Sequence, residues 1–270
     1  MPVETTTIRC HVCDGADHRP YGSSGRNRIV VCRDCGLFFV NPVPTPAALR
    51  RMVSEAETYT EDQLAKVEFF RRRATRLFET VESHVSPGRV LDVGCAIGTE
   101  LVVARERGWT PIGIELSEAS VRVAREHGLD VRACALEDAG FADASFDLVT
   151  ANHVVEHLAW PAPFFAELRR ILDPSGYLFV SVPNVDAWKR YLLRSRYRWT
   201  FHDDHFAHYS KSTLPRLLER HGFDVVRIHS SRAYDFHQDV ETRSRFFRWC
   251  NAKVEALDMG IELFCLARPR

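Results

Sequence analysis

Arg89-Val-Leu-Asp-Val-Gly-Cys-Ala-Ile-Gly98 is an apolar run that ends in a turn with two glycines and leads into a helical pattern over about 98–108. A short apolar run of this kind, bounded by glycine, reads as a buried strand. Glycines at 94 and 98 permit a sharp turn and let a ligand approach the backbone where a strand gives way to a helix. A dinucleotide fingerprint would need glycine at 94, 96 and 99, but 96 is Ala and 99 is Thr, which disfavours NAD and FAD. Further apolar runs follow at 111–114, 130–133, 146–151, 177–182, 225–228 and 262–266, with helical patterns at 117–127, 161–172 and 240–257. Strands alternating with helices of this length predict an α/β, Rossmann-like fold: a seven-stranded, mostly parallel sheet with helices on both faces.

Composition limits the function classes. In 270 residues, 36 Lys and Arg balance 36 Asp and Glu, so no global field would hold the chain on nucleic acid or an anionic membrane. Hydrophobic residues at 45% and charged residues at 27% exclude collagen, coiled coil and a disordered tail. No apolar run reaches the length of a membrane span, and the first residues lack a signal-peptide pattern. The expectation is a cytoplasmic protein without a membrane association.

Upstream of the first strand, Cys10-x-x-Cys13 and Cys32-x-x-Cys35 are separated by eighteen residues. This is the spacing of a two-knuckle site, each pair offering two thiolates from one tight turn. Four protein ligands close a tetrahedron and leave no open position, so a structural zinc is expected, with iron as the other metal to consider. His11 and His18 read as bystanders. The proline-rich Asn41-Pro-Val-Pro-Thr-Pro46 ends this zinc-ribbon-like segment, 1–46. A helical linker and cap, 47–87, follows, with Leu64, Val67, Phe70, Ala74, Leu77, Phe78 and Val81 on one face. Arg71-Arg72-Arg73 within it reads as a solvated face with one stem lying along apolar surface. The remainder, 88–270, forms the third unit, with a substrate-cap insert at about 184–212.

Asp92-x-Gly94-x-Ala96-x-Gly98 resembles motif I of the class I S-adenosylmethionine-dependent methyltransferases, and the resemblance extends over most of 88–230. It implies that Asp92 reaches the methionine ammonium and that Gly94, Cys95 and Gly98 admit the methionine and ribose portions. Glu115, twenty-one residues after Gly94, takes the position of the acid that binds both ribose hydroxyls, beside Leu116. Leu136 and Glu137 fall where the family holds adenine, although an acid often found two residues earlier is Ala135 here. Asn152-His-Val-Val-Glu-His157 follows the fourth strand and places Asn152 and His157 at the cofactor and His153 as a base or substrate contact. S-adenosylhomocysteine would be the product.

The segment His202-Asp-Asp-His205-Phe-Ala-His208-Tyr-Ser210 resembles the histidine-containing segment that covers substrate in many small-molecule members. His205 and His208 are the base or substrate-orienting candidates there, with helix capping as the plainer reading and a divalent ion as a further one. Lys189 to Trp199 carries five basic residues among aromatics, which suits an anionic acceptor, stacked RNA bases or a solvated cap helix. The knuckle followed by such a domain is similar to sugar and natural-product methyltransferases, so transfer to a hydroxyl or carbon of a small molecule is the first expectation. A ribosomal RNA guanine methyltransferase is the second, although that family's usual final ligand is a histidine where this chain has Cys35. A non-catalytic cofactor-binding module is the third. The acceptor partner is a small molecule rather than nucleic acid, on a monomer or homodimer.

Overall fold

The computed structural model describes residues 3–49, 60–187, 202–231 and 258–270. The N-terminal segment forms β1 (Thr5–Thr6), the hairpin of β2 (His18–Ser24) and β3 (Asn27–Cys32), then β4 (Phe38–Val40) and β5 (Val43–Pro44). Helix α1 (Thr60–Ala65) and α2 (Val67–Val81) follow. Ala74, Leu77, Phe78 and Val81 are buried at helical spacing, as the sequence pattern requires, and α2 packs on the later helix Thr99–Glu106. Leu64 departs from the expected face: the helix is interrupted at Lys66, and Leu64 is left 47% exposed.

The central sheet contains the seven expected strands: β6 (Arg89–Val93), β7 (Thr110–Glu115), β8 (Val131–Ala133), β9 (Phe146–Asn152), β10 (Leu172–Pro183), β12 (Phe223–Ser231) and β13 (Glu262–Pro269). Their order is β12-β13-β10-β9-β6-β7-β8. Every pairing from β10 to β8 is parallel, and β13 runs antiparallel between β10 and β12. Helices α3 (Thr99–Glu106), α4 (Glu118–Glu126) and α5 (Pro161–Ile171) make the crossovers, and α6 (Thr213–Arg220) precedes β12. Leu91, Leu148, Val149 and Val180 are fully buried mid-strand, the mark of a sheet covered on both faces. In such a sheet ligands bind beyond the carboxyl ends of the strands where the strand order reverses, here between β6 and β9.

The segment after β10 returns as β11 (Ala207–His208), which pairs antiparallel with β4 and completes a second sheet in the order β11-β4-β3-β2. Cys10, Val12, Leu37 and Phe39 of the N-terminal segment share one buried cluster with Leu91, Val180 and Leu217 of the larger unit. The expected helix at 240–257 and the basic stretch from Lys189 to Trp199 lie outside the described residues. Among the described residues no helix is long and apolar enough to cross a membrane.

Candidate active site

The turn after β6 passes through three left-handed positions: Gly94 (φ +73°), Ala96 (φ +50°) and Gly98 (φ +80°). Gly94 N and Cys95 N both donate to Ile114 O, at 2.9 and 3.1 Å, which anchors the turn to β7. A Cβ at Gly94 would sit 2.9 Å from Val154, and one at Gly98 would sit 2.3 Å from Leu129. Gly94 nevertheless borders the open cleft, where it lines both of its cavities. Gly98 faces the buried packing between α3 and α4 and does not line the cleft, which corrects its expected cofactor contact: its missing side chain makes room for Leu129.

Two cavities of about 430 and 960 Å³ open over the carboxyl ends of β6, β7 and β9, within the usual range for ligand pockets. They meet at Gly94, His153, His157 and Asp204. The larger carries Glu115, Leu116, Leu136 and Glu137, so the structure brings together the residues expected around adenosine. Glu115 is oriented by two backbone amides: Ala96 N donates to Oε2 at 3.0 Å and Ser117 N to Oε1 at 2.8 Å. Each oxygen keeps a further lone pair, which is what a vicinal diol requires. Leu116 beside it is 54% exposed and offers a flat apolar surface to a base.

The smaller cavity carries Asp92, Cys95, Glu100 and Asn152. Asp92 is buried and accepts from Thr150 Oγ1 at 3.0 Å. Asn152 Nδ2 donates to Glu100 Oε2 at 2.7 Å, whereas the buried Glu100 Oε1 has no hydrogen-bond partner among the described residues. Burial pushes both carboxyls above their ordinary values, and for Asp92 the neighbouring Glu100 adds to the effect. A cation beside these two groups would offset that cost, and their oxygens can accept from an ammonium. Glu100 was not anticipated from the sequence. The available signal was an acid in the first turn of the helix that follows Gly98.

His153 stands at a left-handed backbone position (φ +54°). Its Nδ1 lies 3.0 Å from Glu156 Oε1 and its Nε2 lies 2.8 Å from Glu262 Oε1. Burial opposes a charge on this ring, but Glu262 and the bonds to both carboxylates outweigh it and raise the pKa to about 9. With both nitrogens donating, the imidazolium has no lone pair to take a proton, so His153 is removed from the base candidates. Arg73 completes the cluster through ion pairing with Glu262 and donation to Ser181 Oγ at 2.6 Å. Its side chain is only 12% exposed, so one of the three consecutive arginines points inward, while Arg71 pairs with Glu106 at the surface.

His157 Nδ1 donates to Asp204 O at 3.0 Å, a bond that fixes the orientation of the ring. Its ring meets His205 edge to face with centroids 4.7 Å apart. Donor atoms of Glu156, His157 and His205 all lie within 4.8 Å of one another. Asp204 Oδ1 lies 3.9 Å from His205 Nε2 and 3.5 Å from His202 Nδ1. His205 thus stands on the cleft wall as expected. His208 does not: it is buried in β11 opposite Phe38, behind His205, and lines neither cavity.

At the far side of the N-terminal sheet the four expected cysteines converge. Their sulfurs lie within 4.8 Å of one another, with Cys10–Cys35 and Cys13–Cys32 both at 3.5 Å. Tetrahedral zinc–thiolate bonds of about 2.3 Å need sulfur separations of about 3.8 Å, so the cluster fits the ion. The knuckles repeat one backbone pattern: Asp14 N donates to Cys10 O at 2.7 Å and Gly36 N donates to Cys32 O at 3.0 Å.

A seven-stranded sheet with one antiparallel strand, and a cleft at its switch point lined by acidic residues, are the features of the class I methyltransferase fold. The match of a methyltransferase-domain family over residues 62–228 confirms this, and the chain belongs to that family. A ubiquinone biosynthesis O-methyltransferase of Hahella chejuensis is 41% identical over 106 residues, which is 36% of this chain and 44% of that protein. Its namesake in Pasteurella multocida is 31% identical over 186 residues, 62% of this chain and 75% of that protein. The first relatives of this group are thus matched over less than half their own length, 44 to 48%. Among solved structures, a SAM dependent methyltransferase from Archaeoglobus fulgidus superposes with a TM-score of 0.57 at 21% identity, covering 76% of this chain and 98% of that one, a likeness of fold.

Proposed function

We propose that the protein transfers a methyl group from S-adenosylmethionine to a hydroxyl or carbon of a small molecule, with His205 as the proton acceptor. The observation that carries this reading is the placement of His205 on the wall of the smaller cavity, edge to face with His157, which stands where the two cavities meet beyond the turn that would hold the cofactor. When bound, S-adenosylmethionine supplies an electrophilic methyl group and leaves as S-adenosylhomocysteine. Asp92 and Glu100 hold its ammonium, Glu115 its ribose hydroxyls, and Leu116 and Leu136 flank the base. His205 takes the acceptor's proton, and His157, fixed by Asp204 O, orients the acceptor. Holding the reactants in line can supply about 7 to 11 kcal/mol, and a general base about 10² to 10⁴ in rate. The names of the relatives favour oxygen over carbon as the attacking atom. A structural zinc in Cys10, Cys13, Cys32 and Cys35 belongs to the same reading.

The test is incubation with methyl-labelled S-adenosylmethionine and a bacterial extract, followed by separation of small molecules, RNA and protein. Label in the RNase-resistant small-molecule pool is the expected result. Label lost on RNase treatment would transfer the assignment to RNA, and cofactor binding without turnover in any pool would leave a binding module.

A further inference from the structure

The loop that carries Asp204 and His205 is held from outside the methyltransferase sheet. Its ties to that sheet's own segments include Phe206 N to Glu156 O at 2.8 Å, His157 Nδ1 to Asp204 O at 3.0 Å and Val185 N to Tyr209 O at 2.8 Å. The N-terminal sheet supplies a comparable set from 165 to 200 residues away in sequence. Val40 N donates to Phe206 O at 2.8 Å, and β11 pairs with β4 through Ala207 opposite Phe39 and His208 opposite Phe38. Tyr209 Oη lies 3.3 Å from His11 Nε2, inside the first knuckle.

The tip of the β2–β3 hairpin reaches furthest. Ser24 Oγ donates to Asp203 Oδ1 at 2.8 Å, and Asn27 Nδ2 donates to Asp203 O. Between them Gly25 (φ +51°) lies so close that a Cβ there would stand 2.1 Å from Asp203 Oδ2. Asp203 is thereby gripped by side chain and main chain at once, one residue before Asp204 and two before His205.

We propose that the hairpin tip, through Ser24 and Asn27, is a positioning device that sets where Asp204 and His205 stand over the cofactor cleft. The role assigned to His205 rests on the function proposed above, whereas the grip on the loop does not. Ser24 lines neither cavity, so it acts through Asp203 and not on a ligand, whereas Asn27 also lines the larger cavity, which is why Ser24→Ala alone carries the affinity control. The device explains why a four-cysteine knuckle accompanies this domain: it stiffens the base of a hairpin whose far end holds the reactive loop.

The experiment uses the full chain with S-adenosylhomocysteine bound for hydrogen exchange, and the labelled-methyl assay for turnover. In Ser24→Ala and in Ser24→Ala with Asn27→Ala, amides of residues 203–208 should exchange faster, by about threefold to tenfold for a single solvent-facing hydrogen bond. Metal content and S-adenosylmethionine affinity should be unchanged with Ser24→Ala, while methyl transfer slows by a similar factor. Ser24→Thr, which keeps the hydroxyl, should restore both. Wild-type exchange in the double variant would overturn the proposal, as would slower transfer in Ser24→Ala that Ser24→Thr does not restore. If exchange responds but the wild-type protein labels no acceptor, the grip stands and the proposed function falls. Transfer by the wild type at a rate the double variant matches would do the reverse.

Discussion

Glu262→Gln is the most informative single change, because one oxygen of this carboxylate meets both Arg73 and His153 at a position 3% exposed. The amide keeps the shape and removes the charge, so two cations are left facing each other without their common partner. Breaking a buried ion pair on one side costs about 3 to 5 kcal/mol. At about 2 to 4 °C per kcal/mol for a chain of this size, the midpoint of thermal unfolding should fall by about 10 °C. The pH dependence gives a second reading. His153 keeps its proton in the folded protein up to about pH 9, against 6.5 as its ordinary value. Between those limits the folded state binds more protons than the unfolded one, so this contribution is complete below pH 6.5 and is lost as pH rises through 9. Its size is about 3 kcal/mol if fully expressed, and about half that once solvent at the open edge of the ring, 32% exposed, screens the charges. Urea unfolding of wild type and variant at pH 6, 7.5 and 9 is the assay. Equal midpoints for the two proteins at pH 6, or a wild-type stability that rises from pH 6.5 to 9, would refute the argument.

The site makes further predictions. Glu115→Ala removes the acceptor for two ribose hydroxyls and should weaken S-adenosylhomocysteine binding by about tenfold to a hundredfold in calorimetry; unchanged affinity would remove Glu115 from the cofactor site. Glu100→Gln should weaken the same binding by about tenfold while stabilising the empty protein, since it relieves a buried carboxylate pair, and an equal loss of stability would count against the ammonium role. His205→Ala should lower methyl transfer by about 10² or more with little change in cofactor affinity. His208→Ala should instead lower stability and leave transfer near wild type; the opposite ranking would return the base role to His208. Cys32→Ser should lose the metal and soluble yield together, and full metal content in that variant would dissolve the four-cysteine site.

The part of the cleft around the turn after β6 was legible in the sequence because one contiguous stretch builds most of it. Asp92, Gly94 and Cys95 lie within four residues, and the strand-turn-helix pattern around them fixes their placement. Glu115 follows at the end of the next strand, and Leu136 three residues past the end of the one after it. The wall that carries His205 was legible only in part. His205 and His208 lie three residues apart, yet the pairing of β11 with β4 sends one to the cleft and the other into packing. Nothing local records that pairing, because β4 lies in a segment about 170 residues earlier. The same holds for His153, whose charge depends on Glu262, 109 residues away on the antiparallel strand. Arg73 was hidden for a different reason: three consecutive arginines look equivalent in sequence, but successive residues on a helix point about 100° apart, and only one of them faces the sheet.

Relative motion is the default between a small segment and the domain it precedes, but the burial pattern here argues against it. Phe39 and Leu37 have no exposed surface, and their cluster includes Leu91, Leu178 and Leu217 from the methyltransferase unit. Fully burying side chains of this size contributes about 1.5 to 3 kcal/mol each. Swinging the segment away would return several of them to water at once, a cost comparable with the whole stability of a typical domain. The rigid element must therefore be the combined one, made of knuckle, hairpin and β11. The hairpin tip belongs to that element too, since Ser24 and Asn27 bond Asp203, two residues before His205.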